Sequence, residues 1–262
     1  MKVKDILTAL DQIAPQDAAF EFDKVGIQIG SLESEVKTAV VSLDRSLAAI
    51  DYAISLNAEL LVCHHPLIWN PLTRICKEDH VGLSVTRLIE NHINFIAVHT
   101  NWDCAIGGVN DVLAKKVGLH SVESFGDYHL EGYPICRIGD LENNTKFADL
   151  VKHVDFQLNT KSLAWGASSD PISRVAVIGG AGSSEWLEAK INGAEALITG
   201  EIRHSDALEA LESGVRVIAA GHYATEQPGC SELTLRLQAE IPSINWRLFE
   251  PKPGEGGRPF SI

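Results

Sequence analysis

Two adjacent histidines, His64 and His65, follow a short apolar run at residues 59–63, and a proline comes directly after them. The run is typical of a buried strand, and adjacent side chains of a strand point to opposite faces, so both rings cannot lie in the core. At a strand end, where the chain leaves the sheet, both rings could converge on a pair of metal ions. The alternative is a buried structural histidine beside a loop histidine.

Further metal-competent side chains follow the carboxyl ends of other predicted strands, the edge at which parallel α/β sheets bind ligands. His222 and Glu226 are four residues apart at a predicted helix start, so they share a face, although a solvated pair is the ordinary explanation. Asp103 is equally typical of a turn or a helix cap. The full set of strand-end residues is His64, His65, His99, Asp103, Glu201, His204, His222 and Glu226.

The elements that would position these residues alternate between strands and helices. The pattern predicts strands at 38–43, 59–63 and 94–98, and again at 174–178, 196–199 and 216–220. Helices between them favour mainly parallel sheets covered by helices.

We therefore predict an α/β fold of two similar three-layer halves, residues 1–125 and 126–262, with a cleft between them that holds the metal site. The pattern weakens at 119–173, where strands at 133–138 and 162–165 would flank a helix at 146–153.

Composition excludes several classes of protein. The 262 residues are 45% hydrophobic and 22% charged, which is typical of a globular protein. A net charge of −13 argues against general binding to nucleic acid, which requires clustered Lys and Arg. Five widely spaced cysteines indicate reduced thiols, and the sequence shows no signal peptide and no membrane-spanning run. We expect a cytoplasmic protein.

Several ordered motifs together resemble the Nif-three-like family, whose members are often named GTP cyclohydrolase I type 2 homologues. They are Leu-Val-Cys-His-His-Pro-Leu-Ile-Trp at 61–69, His-Thr-Asn-Trp-Asp at 99–103 with Gly-Val-Asn-Asp-Val-Leu-Ala at 108–114, Thr-Gly-Glu-Ile-Arg-His at 199–204 and Gly-His-Tyr-Ala-Thr-Glu at 221–226. The resemblance covers essentially the whole chain.

The resemblance implies a two-domain α/β protein with a dinuclear metal site, assembled into a toroidal homohexamer. The implied metal ligands are His64, His65, Asp103, His222 and Glu226. If Glu226 bridges the ions, one ion takes His65 and Asp103 and the other takes His64 and His222. Imidazole and carboxylate ligands suit Zn, Fe, Mn, Co or Ni. Longer family members carry an inserted middle domain, for which residues 118–173 are too short.

Two functions compete. The leading hypothesis is a metal-dependent hydrolase that acts on a small polar or nucleotide-like substrate through a metal-bridging water, with His99, Glu201 and His204 as candidates for proton transfer or substrate orientation. The alternative is a non-catalytic metal-binding scaffold or metal-handling protein that acts through protein partners. The family name suggests opening of the guanine ring of GTP, but the sequence has no Gly-rich loop of the P-loop type.

The aromatic residues Trp69, Trp102 and Tyr223 each lie close to a ligand motif in the sequence. Packing that shields the site is the favoured interpretation, and stacking on a substrate base is the alternative. Cys63 ends an apolar strand and is interpreted as a core thiol rather than a ligand.

Overall fold

A computed structural model describes residues 1–260, whose strands form two separate sheets. The strands are β1 (Gly26–Ile29), β2 (Thr38–Ser42), β3 (Leu60–Cys63), β4 (Asn94–Ala97), β5 (His120–Phe125), β6 (Cys136–Lys146), β7 (Leu163–Trp165), β8 (Pro171–Ile178), β9 (Ala196–Thr199), β10 (Arg216–Ala219) and β11 (Asn245–Leu248). The helices are α1 (Val3–Ile13), α2 (Leu47–Ser55), α3 (His80–Glu90), α4 (Thr100–Cys104), α5 (Val109–Lys116), α6 (Phe147–Leu158), α7 (Trp186–Ile191), α8 (His204–Glu212) and α9 (His222–Glu240). The fold is α/β, as predicted.

The first compact unit contains residues 1–105 and 230–260. Its sheet has the order β1-β4-β3-β2-β11, in which β1 alone pairs antiparallel with its neighbour. Every residue of β3 and β4 is buried, which explains why β3 is a continuous apolar run and why β4 is apolar after Asn94. Because β2, β3 and β4 run in the same direction, their carboxyl ends meet at one edge of the sheet.

The second compact unit contains residues 106–229. Its sheet has the order β5-β6-β8-β9-β10-β7, and only β8, β9 and β10 pair in parallel. The antiparallel strands β5, β6 and β7 all come from the stretch in which the sequence pattern is weak. β5 is exposed at five of its six residues, and the pairing of β6 with β8 shifts register between Asp140 and Thr145, so neither strand shows a regular apolar pattern.

Within each unit, a glutamate holds the start of one parallel strand against the next. In the first unit, Glu59 Oε2 accepts hydrogen bonds from the backbone N–H groups of Lys37 and Thr38, at the start of β2. In the second unit, Glu195 Oε2 accepts from Ser173 and Arg174 in β8. The two units therefore share a local hydrogen-bonding pattern as well as an order of elements.

The boundaries of the units do not coincide with the ends of elements: α9 begins in the second unit and ends in the first. The division of the chain at residues 125 and 126 remains a prediction about domains. All five cysteines are free thiols. No helix within residues 1–260 combines the length and the apolar character that crossing a bilayer requires.

Candidate metal centre

Three histidines of the first unit meet at the carboxyl edge of its sheet. His64 and His65 follow β3, and His99 follows β4. The ring centroids lie 5.1 Å apart for His64 and His65, 5.2 Å for His64 and His99, and 5.8 Å for His65 and His99. One ring nitrogen from each lies within 4.8 Å of the others, a spacing that a metal ion could bridge.

Each of these three rings is held through its Nδ1 atom. His64 Nδ1 lies 2.9 Å from the carbonyl oxygen of Val98, and His65 Nδ1 lies 2.8 Å from Asp44 Oδ1. His99 Nδ1 lies 2.9 Å from Asp23 Oδ1. Because these oxygens accept a hydrogen bond from Nδ1, the Nε2 atoms of His64 and His65 are left for a metal, which is the usual arrangement of metal-bound histidine.

Asp103 comes close to His64. It lies on α4, and its Oδ1 is 3.5 Å from His64 Nε2. The family resemblance implied an ion that takes Asp103 together with His65, and this pairing stays a prediction. Two residues separate the end of β4 from the start of α4, which brings Asp103 beside the buried His64.

His99 and Asp23 form an ion pair whose two pKa values move apart. Burial lowers the pKa of His99, but the hydrogen bond to Asp23 and the charges of Asp103 and Asp23 outweigh burial, and the net shift is upward. Burial raises the pKa of Asp23, but the hydrogen bond and charge of His99, with hydrogen bonds from Thr100 and the Lys24 N–H, outweigh burial and lower this pKa from 3.8 to about 2. Asp23 therefore stays ionised and fixes the orientation of the His99 ring.

The second unit brings together His222, Glu226 and Glu201. His222 and Glu226 lie one turn apart on α9, with His222 Nε2 3.0 Å from Glu226 Oε2. Glu201, which follows β9, lies 3.0 Å from His222 Nδ1. Glu201 thus has the same relation to His222 that Asp44 has to His65.

Glycine permits this arrangement in the second unit. Gly180 has a φ of +63°, and a Cβ atom there would come within 2.2 Å of Glu226 Oε1 and 3.3 Å of His222 Nε2. Any larger residue would displace the carboxylate. The Gly179-Gly180 pair after β8 therefore makes room for the donors on α9.

The remaining sequence-predicted residues occupy different environments. His204 is the exposed first residue of α8 and belongs to none of the donor groups that residues 1–260 form. Trp102 is fully buried beneath the guanidinium of Arg236, which lies 5.4 Å from the ring centroid, so it packs as expected. Cys63 is buried, and burial, with the nearby charge of Asp44, raises the pKa of its thiol well above the usual range, as suits a core thiol.

Sequence reasoning did not select two carboxylates that hold histidine rings. Asp44 follows a predicted strand just as His64 does, and that position was a usable signal. Asp23 lies in a loop directly after Phe22, and nothing in its spacing connects it to His99, 76 residues later.

Comparisons with known proteins agree with this architecture. The family model described as Duf34/NIF3 (NGG1p interacting factor 3) matches residues 1–251. A GTP cyclohydrolase 1 type 2 homolog of Nostoc is 31% identical, with 91% of this chain and 92% of the relative covered, and one of Clostridium acetobutylicum is 29% identical, with 92% and 91% covered.

Solved structures show the same likeness. A Staphylococcus aureus hypothetical protein superimposes with a TM-score of 0.88 at 27% identity, covering 96% of this chain and 97% of that chain. Reduced HcgD from Methanocaldococcus jannaschii superimposes with a TM-score of 0.82 at 26% identity, covering 96% and 98%. The chain therefore belongs to the Duf34/NIF3 family.

Proposed function

We propose that this protein binds two divalent metal ions and uses them to hydrolyse a small polar or nucleotide-like substrate. The observation that supports this proposal best is the set of three converging histidines, each with Nδ1 held by a carbonyl or carboxylate oxygen. A purely structural core does not require the nitrogens of three histidine rings to converge on one point.

The proposed ligands are His64, His65, Asp103, His222 and Glu226. The short distance between His64 and Asp103 supports placing these two on one ion, and His65 and His222 would then hold the other, with Glu226 available to both. Three protein ligands for each ion leave open positions, as in catalytic rather than structural sites. Imidazole and carboxylate donors fit Zn, Fe, Mn, Co or Ni.

When bound, a pair of such ions supplies a water of lowered pKa and Lewis-acid polarisation of the substrate. The chain itself contributes His99, whose Nδ1 is held by Asp23 and whose other ring nitrogen is available to accept or donate a proton at the substrate. Glu201 and Asp44 hold His222 and His65, so we assign them an orienting role.

Elemental analysis of protein purified without added metal or chelator tests the metal site. We expect about two ions per wild-type chain, and a clear loss of metal in both His65→Ala and Glu226→Ala. His120→Ala, at an exposed histidine of β5, is the matched control and should retain the metal. Less than half an ion in wild type after incubation with Zn, Mn or Fe(II) would refute the site.

A substrate screen with the identified metal restored tests catalysis separately. Turnover of a phosphoester, amide or cyclic amide that is lost in His99→Ala, with metal content unchanged, would support the hydrolase. If no substrate is turned over by the fully loaded protein, the second candidate gains support: a metal-binding scaffold that acts through partners.

A homohexamer is part of either proposal, and sedimentation should then give six times the chain mass of 28.5 kDa.

A further inference from the structure

Three aromatic residues of the first unit form a row that ends on His99. Phe20 and Phe22 stack with ring centroids 5.6 Å apart and planes within 5°. Phe22 and Trp69 follow at 6.3 Å with the planes tilted by 54°. Trp69 then meets the His99 ring edge to face at 5.9 Å and 86°. We call Phe20, Phe22 and Trp69 the aromatic row.

The aromatic row is open to solvent. Phe22 is 60% exposed and Trp69 is 40% exposed. A single exposed aromatic residue is ordinary, but adjoining exposed rings beside a candidate catalytic histidine are characteristic of a binding surface. Trp102, by contrast, is fully buried.

Hydrogen bonds fix the two loops that carry the row. Gln28 Oε1 accepts from the N–H groups of Leu67 and Ile68, at 2.8 and 2.9 Å, directly before Trp69. Its Nε2 donates to the carbonyl oxygens of Lys24 and Ile68. The row is therefore preorganised, which lowers the entropy cost of binding a ligand.

Asp23 connects the row to His99. It lies between Phe22 and Lys24, and the same carboxylate that holds His99 Nδ1 also accepts from the Thr100 N–H. Phe20 N–H in turn donates to Thr100 Oγ1. The loop that presents the rings is thus the loop that orients the histidine.

We propose that the aromatic row binds the planar heteroaromatic ring of the substrate and holds it beside His99. This proposal rests on the proposed function for its second half, the placement of the ring at a reacting centre, but ring binding itself needs no metal. Aromatic faces attract planar rings by stacking and tolerate many ring types. Lys24, whose Nζ lies 2.9 Å from the carbonyl oxygen of Phe22, provides a cation at the rim for an anionic substituent.

Isothermal titration of the full chain, with metal removed and with metal restored, provides the test. The probes are adenosine monophosphate and flavin mononucleotide, and ribose 5-phosphate is the non-aromatic control. We expect at least one aromatic probe to bind about tenfold more tightly than ribose 5-phosphate, and Phe22→Ala and Trp69→Ala each to weaken it by about tenfold. Trp69→Phe, which keeps a ring, should retain most of the affinity.

Phe156→Ala is the matched control, because Phe156 is 81% exposed on α6 in the other unit. Equal binding of all probes, or equal affinity of wild type and the row variants, would overturn the proposal. So would a row variant that changes only the sedimentation of the protein, since the row would then be a contact between copies of the chain. If the wild-type protein binds no metal but still binds the aromatic probes, the proposed function is refuted and ring binding is not.

Discussion

A carboxylate that accepts a hydrogen bond from one ring nitrogen of a histidine determines which nitrogen would face a metal ion. Asp44 does so for His65 and Glu201 does so for His222, in different units and on different kinds of element. Both carboxylates accept from Nδ1, so the two rings are held in the same tautomer. This repeated relation supports our proposal that Glu201 orients His222, whereas the sequence made it a candidate for proton transfer or substrate orientation.

Removing either carboxylate's charge should weaken metal binding without removing a ligand. We expect Asp44→Asn and Glu201→Gln each to lower metal affinity by about 10- to 100-fold, because the histidine ring loses its fixed orientation and some basicity. Competition with a metal-binding dye measures the affinity. Asp79→Asn, which breaks an exposed pair with Arg74, should bind metal like wild type. Unchanged affinity in both test variants would contradict the orienting role.

The ion pair of Asp23 and His99 should give stability a defined pH dependence. The pKa of Asp23 is lowered to about 2 on folding, so its contribution is present above the ordinary value of 3.8 and is lost as pH falls toward 2. The pKa of His99 is raised, so its contribution is present below 6.5 and is lost as pH rises through the raised value.

Metal-free Asp23→Asn should therefore be less stable than wild type by about 1 to 2 kcal/mol between about pH 4 and 6.5, with a smaller difference on either side. Urea denaturation in the presence of chelator measures this. Glu33→Gln, at an exposed carboxylate paired with Lys2 and Lys4, serves as the control and should show no such maximum. A difference that is constant from pH 3 to 8 would exclude the ion pair as its cause.

At the scale of single residues, the sequence indicates the candidate metal-binding histidines more clearly than the carboxylates that hold their rings. His64, His65 and His222 stand out because histidine at a strand end has few structural uses. Asp23 could not be found, because its relation to His99 depends on how a loop folds back over 76 residues. The pairing of Asp103 with one ring or the other stays a prediction, because spacing along the chain does not tell which of two adjacent rings a helix will face.

At the scale of elements, the loop after β11 lies against Asp44, the carboxylate that holds His65. β11 runs parallel to β2, so the chain that leaves β11 arrives where Asp44 follows β2. Gly257, with a φ of +91°, lies so close to Asp44 that a Cβ atom would come within 2.0 Å of Oδ2. One carboxylate oxygen thus faces His65 while the other is covered by the loop.

Gly257→Ala should therefore push Asp44 away from His65 and lower metal affinity by about tenfold, the low end of the range for lost orienting contacts. Gly254→Ala is the matched control: Gly254 also has a positive φ, +83°, but a Cβ there would be 3.7 Å from its nearest neighbour, in Phe260. Both variants carry similar backbone strain, so a difference between them isolates the contact with Asp44.

The absorption of bound Co(II) provides the measurement, and a double variant identifies the route. In an Asp44→Ala background the new methyl group has no carboxylate to clash with, so Gly257→Ala should lower metal affinity little further. An additive loss in the double variant would mean that Gly257 acts by some path other than Asp44.

The sequence predicted elements well where burial is complete and poorly where it is not. β3, β4 and β9 are buried at every residue and were expected within a residue or two of their bounds. β5 went unrecognised because it is largely exposed, and α4 because five residues give no helical period. α4 matters for the proposed metal site, since it carries Asp103.

At the scale of the whole molecule, the two units repeat one plan with different chemistry at its strand ends. Glu59 and Glu195 precede the equivalent strands β3 and β9, and 136 residues separate them. The same separation relates the strands themselves, Leu60–Cys63 and Ala196–Thr199. It also relates His65 to Glu201, so one position supplies a metal-competent histidine in the first unit and the carboxylate that holds His222 in the second.

If the plan is duplicated, the two glutamates should make the same contribution to stability. Each accepts two backbone N–H groups through Oε2, and alanine leaves those groups without the carboxylate. We expect Glu59→Ala and Glu195→Ala each to lower the free energy of unfolding by about 1 to 3 kcal/mol, with the corresponding Gln variants losing less because an acceptor oxygen remains. Urea denaturation measures the loss, and Glu90→Ala, at an exposed residue paired with Lys77, is the control. A large loss for Glu195→Ala beside none for Glu59→Ala would show that the shared hydrogen-bonding pattern does not have a shared role, because the same contact would then stabilise only one of the two sheets.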